Sequence, residues 1–500
     1  MNRPARLLYA LRAARGRQLR ARGTRPLRRL RFPKPSGAGS FQPLAPDLWR
    51  SPAFAGADAV AGEGTVELLG KELAFPFGDW SLPGEPRLRR FHAHYGDEVL
   101  GWARRGDIAA ASAAIGAWIS ANPPRRDDAW HPYPLSTRTG NWIAALSLAP
   151  ELAGAAAVDS LARQLAHLER NVEDDVLGNH VIRNARALVL GGIALDVRRW
   201  REQGLALLRR ELPEQVLPDG GHYERSPVYH LVVLRDLLEI RSASGESWLD
   251  EPIDRMRRFA AALARPDGKP ALFNDGSLDL APDLDLPPAP TGLAVFPETG
   301  YAVVREGRVW LAFDCGPPAP TFLPAHAHAD ALSFQLWVDG RAVVVDPGTY
   351  TYEPGPDRDW FRSTRAHSTV EVGGRDQFEL WGAFRAGPLP SVMLRSTNPL
   401  EGELMSDGLR HRRAIVVTAQ SIEVEDEIEG AGGAAVLASL PLAGGASAGI
   451  EPHPASECRQ DEGWVSERML VRTRITVLKT SSTAGRPARA GWTVRLPSAQ

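Results

Sequence analysis

An α domain of helical hairpins followed by an antiparallel β domain is the fold class the sequence predicts, and three observations predict it. Between about residues 90 and 275, apolar residues recur at i, i+3, i+4 and i+7, as in "AVDSLARQLAHLERNVE" and "HVIRNARALVLGGIALDV", the spacing of helices with one apolar face. Residues 278–292, "LDLAPDLDLPPAPTG", are rich in proline and aspartate and read as a linker. Beyond it the period drops to two, with β-branched residues and turn dipeptides, as in "GYAVVREGRVWLAFD" and "RRAIVVTAQSIEVEDEIEG".

From the N-terminus, the 500 residues divide into a basic arm over 1–50, a helical domain over 51–285 and a β domain over 291–500. The arm holds eleven arginines and Lys34 before the first acidic residue, Asp47. Against an overall charge of −1, those twelve positive charges leave about −13 on the rest of the chain, which argues against a protein built throughout to bind nucleic acid. The arm reads as a segment docked along an acidic body, with a nucleic-acid or anionic-lipid arm as the alternative. No stretch approaches the ~20 apolar residues of a membrane-spanning helix. "LLYAL" is too short for the apolar region of a secretory signal, so a cytoplasmic chain is expected, with the periplasm as the alternative. Within the helical domain, breaks such as "ELPEQVLPDGG" separate helical hairpins without a fixed-period repeat. Within the β domain, "WVDGRA" signals a hairpin, because Asp-Gly accepts the positive φ angles of a two-residue turn. Cys315 and Cys458 make neither a disulfide framework nor a cysteine metal cluster.

Several stretches could carry chemistry. In "AHAHAD", His326 and His328 lie two apart and would share a face in extended backbone. With Asp346 and His367, such imidazoles suit zinc or a similar ion; an inert histidine-rich strand end is the alternative. A flat hairpin turning at Asp339-Gly340 would leave His328 roughly 16 Å from Asp346, so a site there requires the segment to bend back over the sheet. In "GNHVIRNARALVL", Asn179, Arg183 and Arg186 form a polar stripe on an apolar helix, functional or simply solvent-facing. In "DGGHYERSPVYH", Ser226 can cap a helix that begins at Pro227, placing Tyr229 and His230 in its first turn, where the helix dipole could ease a tyrosine toward phenolate; a packing aromatic is the alternative. "FHAHYGD", with His94 and Tyr95, and "WHPYPLSTRTGNW", with Trp130, Tyr133, Arg138, Asn141 and Trp142, mix aromatic and polar groups in a way that suits sugar rings or a loop-rich core.

These stretches, in their order along the chain, resemble the heparinase II/III-like polysaccharide lyases and their alginate-lyase relatives. The resemblance implies an incomplete (α/α) toroid packed on an antiparallel β-sandwich-like domain. It implies β-elimination on a uronate-containing acidic polysaccharide or oligosaccharide held between the domains. Asn179 would neutralise the substrate carboxylate, Tyr229 would act as base and acid, and His326 would be the second proton-transfer residue. His328, Asp346 and His367 would hold a divalent metal, zinc or calcium. Arg183 and the "WHPYP" loop would contact sugar, as would Glu224 beside Tyr229. Two positions depart from the family pattern: Ser368 stands where asparagine is usual, and Gly96 where a second aromatic is usual. A glycoside hydrolase using Glu224 and Asp219 is a rival enzyme reading. A non-catalytic glycan-binding or exopolysaccharide-assembly protein is the rival of another class.

Overall fold

The computed structural model describes residues 1–28, 39–44, 49, 59–62, 64–125, 127–444, 446, 449–453, 457–482 and 487–496. Most of the basic run after Arg28 and the expected arm boundary at 50/51 therefore lie outside the described residues. The arm begins as two helices, α1 (Arg3–Ala13) and α2 (Gly16–Arg28). A small antiparallel sheet follows, β1 (Val60–Gly62), β2 (Thr65–Leu68) and β3 (Lys71–Ala74); alternation this short had no visible period within the expected helical domain. The helical layer then runs α3 (Arg87–His92), α4 (Asp97–Arg104), α5 (Ile108–Ala121), α6 (Pro132–Leu148), α7 (Ala155–Arg170), α8 (Asn179–Ala194), α9 (Arg198–Gln215), α10 (Pro227–Ser244) and α11 (Asp250–Leu263). Helix α8 packs against α6, α9 and α10, so nearly every one of its side chains is buried. Trp118, Trp142 and Trp200 fill the core these helices share.

Residues 281–291 carry no regular structure, as the proline-rich linker predicts. The β domain opens with a five-stranded antiparallel sheet: β4 (Gly292–Phe296), β5 (Tyr301–Glu306), β6 (Val309–Asp314), β7 (Phe334–Val338) and β8 (Arg341–Val344), in that order. Asp339 and Gly340 form the expected turn, at φ 52° and 72°. A short helix, α12 (Pro356–Arg362), β9 (Val370–Val372) and a two-stranded hairpin of β10 (Leu380–Trp381) and β11 (Arg385–Ala386) come next. The remaining strands are β12 (Ser391–Thr397), β13 (Leu400–Ser406), β14 (Leu409–Val417), β15 (Ser421–Glu429), β16 (Val436–Pro441), β17 (Ile450–Pro452), β18 (Glu457–Arg468), β19 (Val471–Ser482) and β20 (Ala488–Arg495). They build a six-stranded sheet, β12-β13-β14-β15-β20-β17, and, with β9, a four-stranded sheet, β18-β19-β16-β9. Leu311, Phe313 and Phe334 of the first sheet share a core with Leu404, Val424 and Trp492 of the second.

The two domains are welded by a smaller core in which Phe259 and Leu263 of α11 meet Tyr301, Trp310 and Trp337 of the first sheet. The arm adds a second junction. Arg17 of α2 and Arg15, just before it, pair with Glu211 and Glu214 of α9, Arg25 pairs with Asp175, and Arg15 lies over the Phe322 ring of the β domain. Arg6 of α1 pairs with Glu379. Thus the arm's described part docks along acidic groups of both domains. No helix among the described residues is long and apolar enough to cross a membrane.

Candidate active site at the domain junction

Ser226 caps α10, accepting from Tyr229 N at 3.2 Å, and its hydroxyl donates to the Asp275 carbonyl at 2.5 Å. The cap thus ties the start of α10 to the "FNDG" segment that leads out of the helical domain. From that first turn the Tyr229 ring stacks on His326 of the β domain, with centroids 4.0 Å apart and planes at 27°. The Tyr229 and Tyr352 hydroxyls hydrogen-bond at 2.9 Å. Burial, then the neighbouring Tyr352 hydroxyl, pushes the Tyr229 phenol well above its ordinary range. The helix dipole does not ease it toward phenolate, because a turn of aligned dipoles is a smaller effect than removing water from the ring. Tyr229 is therefore a phenol, a proton donor.

Asp275 organises the histidines. Burial alone would raise its carboxyl, but Arg358 and hydrogen bonds from His326 and His328 hold it well below the usual range. Arg358 grips both its oxygens, with Nη2 at 2.8 Å. An ionised carboxylate only accepts hydrogen bonds. His326 Nδ1, 2.9 Å from Asp275 Oδ2, must therefore carry a proton, so that in the neutral ring the lone pair is on Nε2. His328 Nε2, 3.0 Å from Oδ1, must likewise be the donor, leaving Nδ1 bare. One aspartate fixes opposite tautomers on two histidines two residues apart. That the two rings point to different tasks, despite the shared face expected of extended backbone, follows from the bend. Strand β7 starts only at Phe334; turns close at Ala327 N–Pro324 O and Ser333 N–Asp330 O, and Leu332 sits at φ 62°.

Asn179 begins α8, and its amide Nδ2 donates to Glu224 Oε2 at 3.0 Å. Glu224 Oε1 lies 3.9 Å from His326 Nε2. Gly178 makes this possible: it sits at φ 61°, and a Cβ there would fall 2.0 Å from Glu224 Oε1. Asn179, Glu224, His326, Tyr229 and Tyr352 thus form one connected cluster spanning both domains.

A metal would fit beside it. Ligand atoms of His328, Asp330 and His367 lie within 4.8 Å of one another, all buried. His328 Nδ1 and Asp330 Oδ1 have no hydrogen-bond partner. Burial, with the Asp330 charge adding to it, pushes Asp314 well above the carboxylate range, and burial, with the Asp346 charge adding to it, pushes Asp330 to about 6, a cost that a divalent cation would relieve. His367 Nδ1 faces Asp346 Oδ2 at 2.9 Å while Nε2 faces the Phe361 carbonyl at 3.1 Å. His328, with Nε2 held by Asp275 and Nδ1 bare, has the arrangement that orients a metal-ligating histidine; His367, with both nitrogens on acceptors, would have to give up one of them to bind a cation. Asp346 stays outside the 4.8 Å group but touches it through His367. Asp330, quoted in "AHAHAD" but not expected as a ligand, is inside.

The remaining expected residues divide. Tyr133 lies against His180 with ring centroids 4.4 Å apart, and Arg183 lies beside Tyr133; both border the Asn179 face of α8. Arg183 and Arg186 are not solvent-facing: they pair with Asp236 and Glu239. Tyr95, nearly buried, packs on His92 and Tyr133. Trp130, Arg138, Asn141, Trp142 and His94 belong to the helical core instead of a sugar-binding wall. Arg138 is fully buried and spends its guanidinium on Gln164 and on the carbonyls of His94 and Ala129. Asn141 bonds Tyr95 O and Asp97, and Trp130 donates to Asn122 O. His94 accepts from Trp118, and burial drops it to about 3. At Gly96, φ is 71° and a Cβ would meet the Trp142 indole at 2.8 Å, so the missing aromatic reflects a left-handed turn under Trp142. Ser368 bridges the Phe334 N–H and carbonyl. Asp219 holds Thr299 and Gly221 in a turn, so the second carboxylate of the hydrolase reading is spent on these donors. Asp275, Tyr352 and Arg358 were missed by sequence reasoning. Only the breaker "NDG" hinted at Asp275, since nothing in sequence brings 275, 326 and 358 together.

Two family models match the chain: the heparinase II/III N-terminus over residues 110–284 and the heparinase II/III-like C-terminal domain over 288–499. The heparin-sulfate lyase of Bacteroides stercoris is 27% identical over 307 residues, 51% of this chain and 44% of that protein. FtsZ-localized protein C of Caulobacter vibrioides is 27% identical over 351 residues, 63% of this chain and 59% of that one. The chain spans less than two thirds of either relative's length. In fold, it superposes on the crystal structure of heparinase III with a TM-score of 0.72 at 15% identity, covering 96% of this chain and 90% of the other. It superposes on the chondroitin AC lyase of Streptomyces coelicolor A3 with a TM-score of 0.54 at 14% identity, covering 100% and 81%.

Proposed function

Since the chain belongs to the heparinase II/III-like family, we propose that it is a carbon–oxygen lyase that cleaves an acidic, uronate-containing polysaccharide by β-elimination. The observation that carries the reading is the stacked pair of His326, with a bare Nε2, and Tyr229, a protonated phenol. In β-elimination the proton on C5 leaves, its electron pair becomes the C4–C5 double bond, and the C4–O4 bond breaks as O4 gains a proton. His326 Nε2 takes the C5 proton, and the Tyr229 hydroxyl protonates O4. Asp275 stabilises the imidazolium through Nδ1, as a buried carboxylate does for a catalytic histidine. Tyr352 orients the phenol. Asn179 has a second amide N–H beyond the one given to Glu224, available to the substrate carboxylate. Neutralising that carboxylate matters most, because the anion formed on proton loss is delocalised onto it. A divalent cation at His328, Asp330 and His367, with zinc favoured by the imidazole donors, would supply positive charge and hold the bent 326–333 segment.

The test is incubation with a panel of uronate polymers while following the ultraviolet absorbance of unsaturated uronates. New absorbance, lost by at least a thousandfold in Tyr229→Phe and His326→Ala, is the expected result. New reducing ends without that absorbance would replace the reading with hydrolysis. A second reading is a non-catalytic glycan-binding or assembly protein, favoured by the longer match to FtsZ-localized protein C; polymer binding with neither product would establish it.

A further inference from the structure

The arm reaches the active cluster through a chain of buried polar groups. Arg17 of α2 holds both oxygens of Glu211, with Nη2 at 3.2 Å from Oε2, and Glu211 is fully buried; Arg210 Nε also donates to Oε1 at 2.7 Å, so of the two arginines it is Arg17 that reaches Oε2. Gln215 Nε2 lies 2.9 Å from Glu211 Oε2 and 3.3 Å from the carbonyl of Gly178, the residue before Asn179. A carboxylate paired with arginine and a backbone carbonyl both only accept, so Gln215 must turn its NH2 toward them. Its Oε1 is then forced toward His222 Nε2, 3.0 Å away, and His222 must carry its proton on Nε2. Its bare Nδ1 faces Glu224 Oε2 at 3.6 Å and is buried without a partner. That same Oε2 accepts from Asn179 Nδ2. An Nδ1–H on His222 would put a second donor on that oxygen and weaken its hold on the asparagine amide.

We propose that Arg17 is a positioning residue for Asn179: by fixing Glu211 and Gln215 it sets the His222 tautomer, which reserves Glu224 Oε2 for the asparagine amide. Gln215 adds a second hold through the Gly178 carbonyl. Arg17 lies outside both stretches matched by the family models, 110–284 and 288–499. The arm is thus part of the catalytic unit and is not merely a basic tail packed on it. The kinetic consequence rests on the lyase reading; the tautomer does not.

The experiment uses the full chain labelled with nitrogen-15 in its histidines, whose ring nitrogens report the tautomer directly. Wild type should show the Nε2–H pattern for His222. Arg17→Gln should give Nδ1–H or a mixture, and Arg17→Lys should retain part of the wild-type pattern. Arg15→Gln, which removes a comparable docking contact to Glu214, should change nothing. With a polymer that wild type cleaves, Arg17→Gln should lower kcat at least tenfold with KM within about threefold, since the asparagine acts on charge that grows in the transition state. If Arg17→Gln does not fold, Glu211→Gln keeps the shape and removes the obligate acceptor, and should give the same spectrum. An unchanged His222 pattern in these variants, or an equal change in Arg15→Gln, overturns the proposal. If wild type cleaves no polymer the lyase reading falls, and the spectra alone decide the role of Arg17.

Discussion

The β domain and its junction hold two buried aspartate–arginine–histidine clusters of nearly the same composition. At one, Asp275 meets Arg358, His326 and His328. At the other, Asp426 takes two hydrogen bonds from Arg413, each 2.8 Å, and one from His411 Nε2 at 2.7 Å. Both carboxyls sit below their ordinary range for the same reason, an arginine and histidine donors outweighing burial. They differ in where the partners come from. Arg413 and Asp426 are register partners on adjacent strands, with His411 two residues along the same strand, and Arg413 also reaches the carbonyls of Leu332 and Ser368. That cluster staples sheets together. The partners of Asp275 come from one bent loop and a short helix, and they leave His326 Nε2 at the junction and His328 Nδ1 at the carboxylate group. Composition does not separate a staple from a site; the nitrogens left over do.

The sharpest way to break the comparison is to neutralise each aspartate in turn. Asp275→Asn has one acceptor oxygen for two histidines, so at least one tautomer is lost. By the precedent of buried aspartates that orient catalytic histidines, kcat should fall by about 10³–10⁴, or roughly 4–5.5 kcal/mol. A folded Asp275→Asn protein within tenfold of wild type would show that Asp275 does not set the base. Asp426→Asn should instead cost about 3 kcal/mol in denaturant unfolding, because it strands a buried arginine, while the folded protein keeps its activity within about threefold. A large kcat loss there would erase the distinction.

Metal removal separates the clusters next. A cation bound at a hundred times its dissociation constant adds about 2.7 kcal/mol to stability. Chelation should lower the melting temperature of wild type and of Asp426→Asn alike, and zinc should restore it. His328→Ala, lacking a ligand atom, should not respond. A melting temperature indifferent to chelator and to added zinc or calcium would remove the metal from the account.

Much of this was legible in the sequence, and the remainder was not for stated reasons. The change of period from helix to strand marked the domains, and Ser226-Pro227 marked the helix start that presents Tyr229. The Asp339-Gly340 turn gave the hairpin, and its geometry forced the expectation that "AHAHAD" bends. Trp130, Arg138, Asn141 and Trp142 misled because aromatic and polar groups side by side suit a sugar as well as they suit each other. Only their partners, Gln164, Asp97 and three backbone carbonyls among them, show that they are spent on packing. Asp275 carried no signal beyond its "NDG" breaker, because its importance lies in contacts made 51 to 83 residues away. The small sheet β1–β3 was missed because three strands of three or four residues give no measurable alternation.

The smallest effect expected concerns acid. Asp426 titrates near 2, below the ordinary aspartate value near 3.8. A lowered folded value means that the unfolded chain takes up the proton first as pH falls. The contribution, about 2 kcal/mol at 1.36 kcal/mol per unit, is therefore complete above about pH 5 and disappears as pH approaches 2. Asp426→Asn lacks this titration, so the stability gap between it and wild type should narrow over that window and stay constant above it. Unfolding curves at pH 7, 4 and 2.5 measure the gap. A gap that keeps its full size down to pH 2.5 would mean that the Arg413–Asp426 pair stabilises by shape and not by charge, and the two clusters would then differ in physics as well as in the nitrogens they leave over.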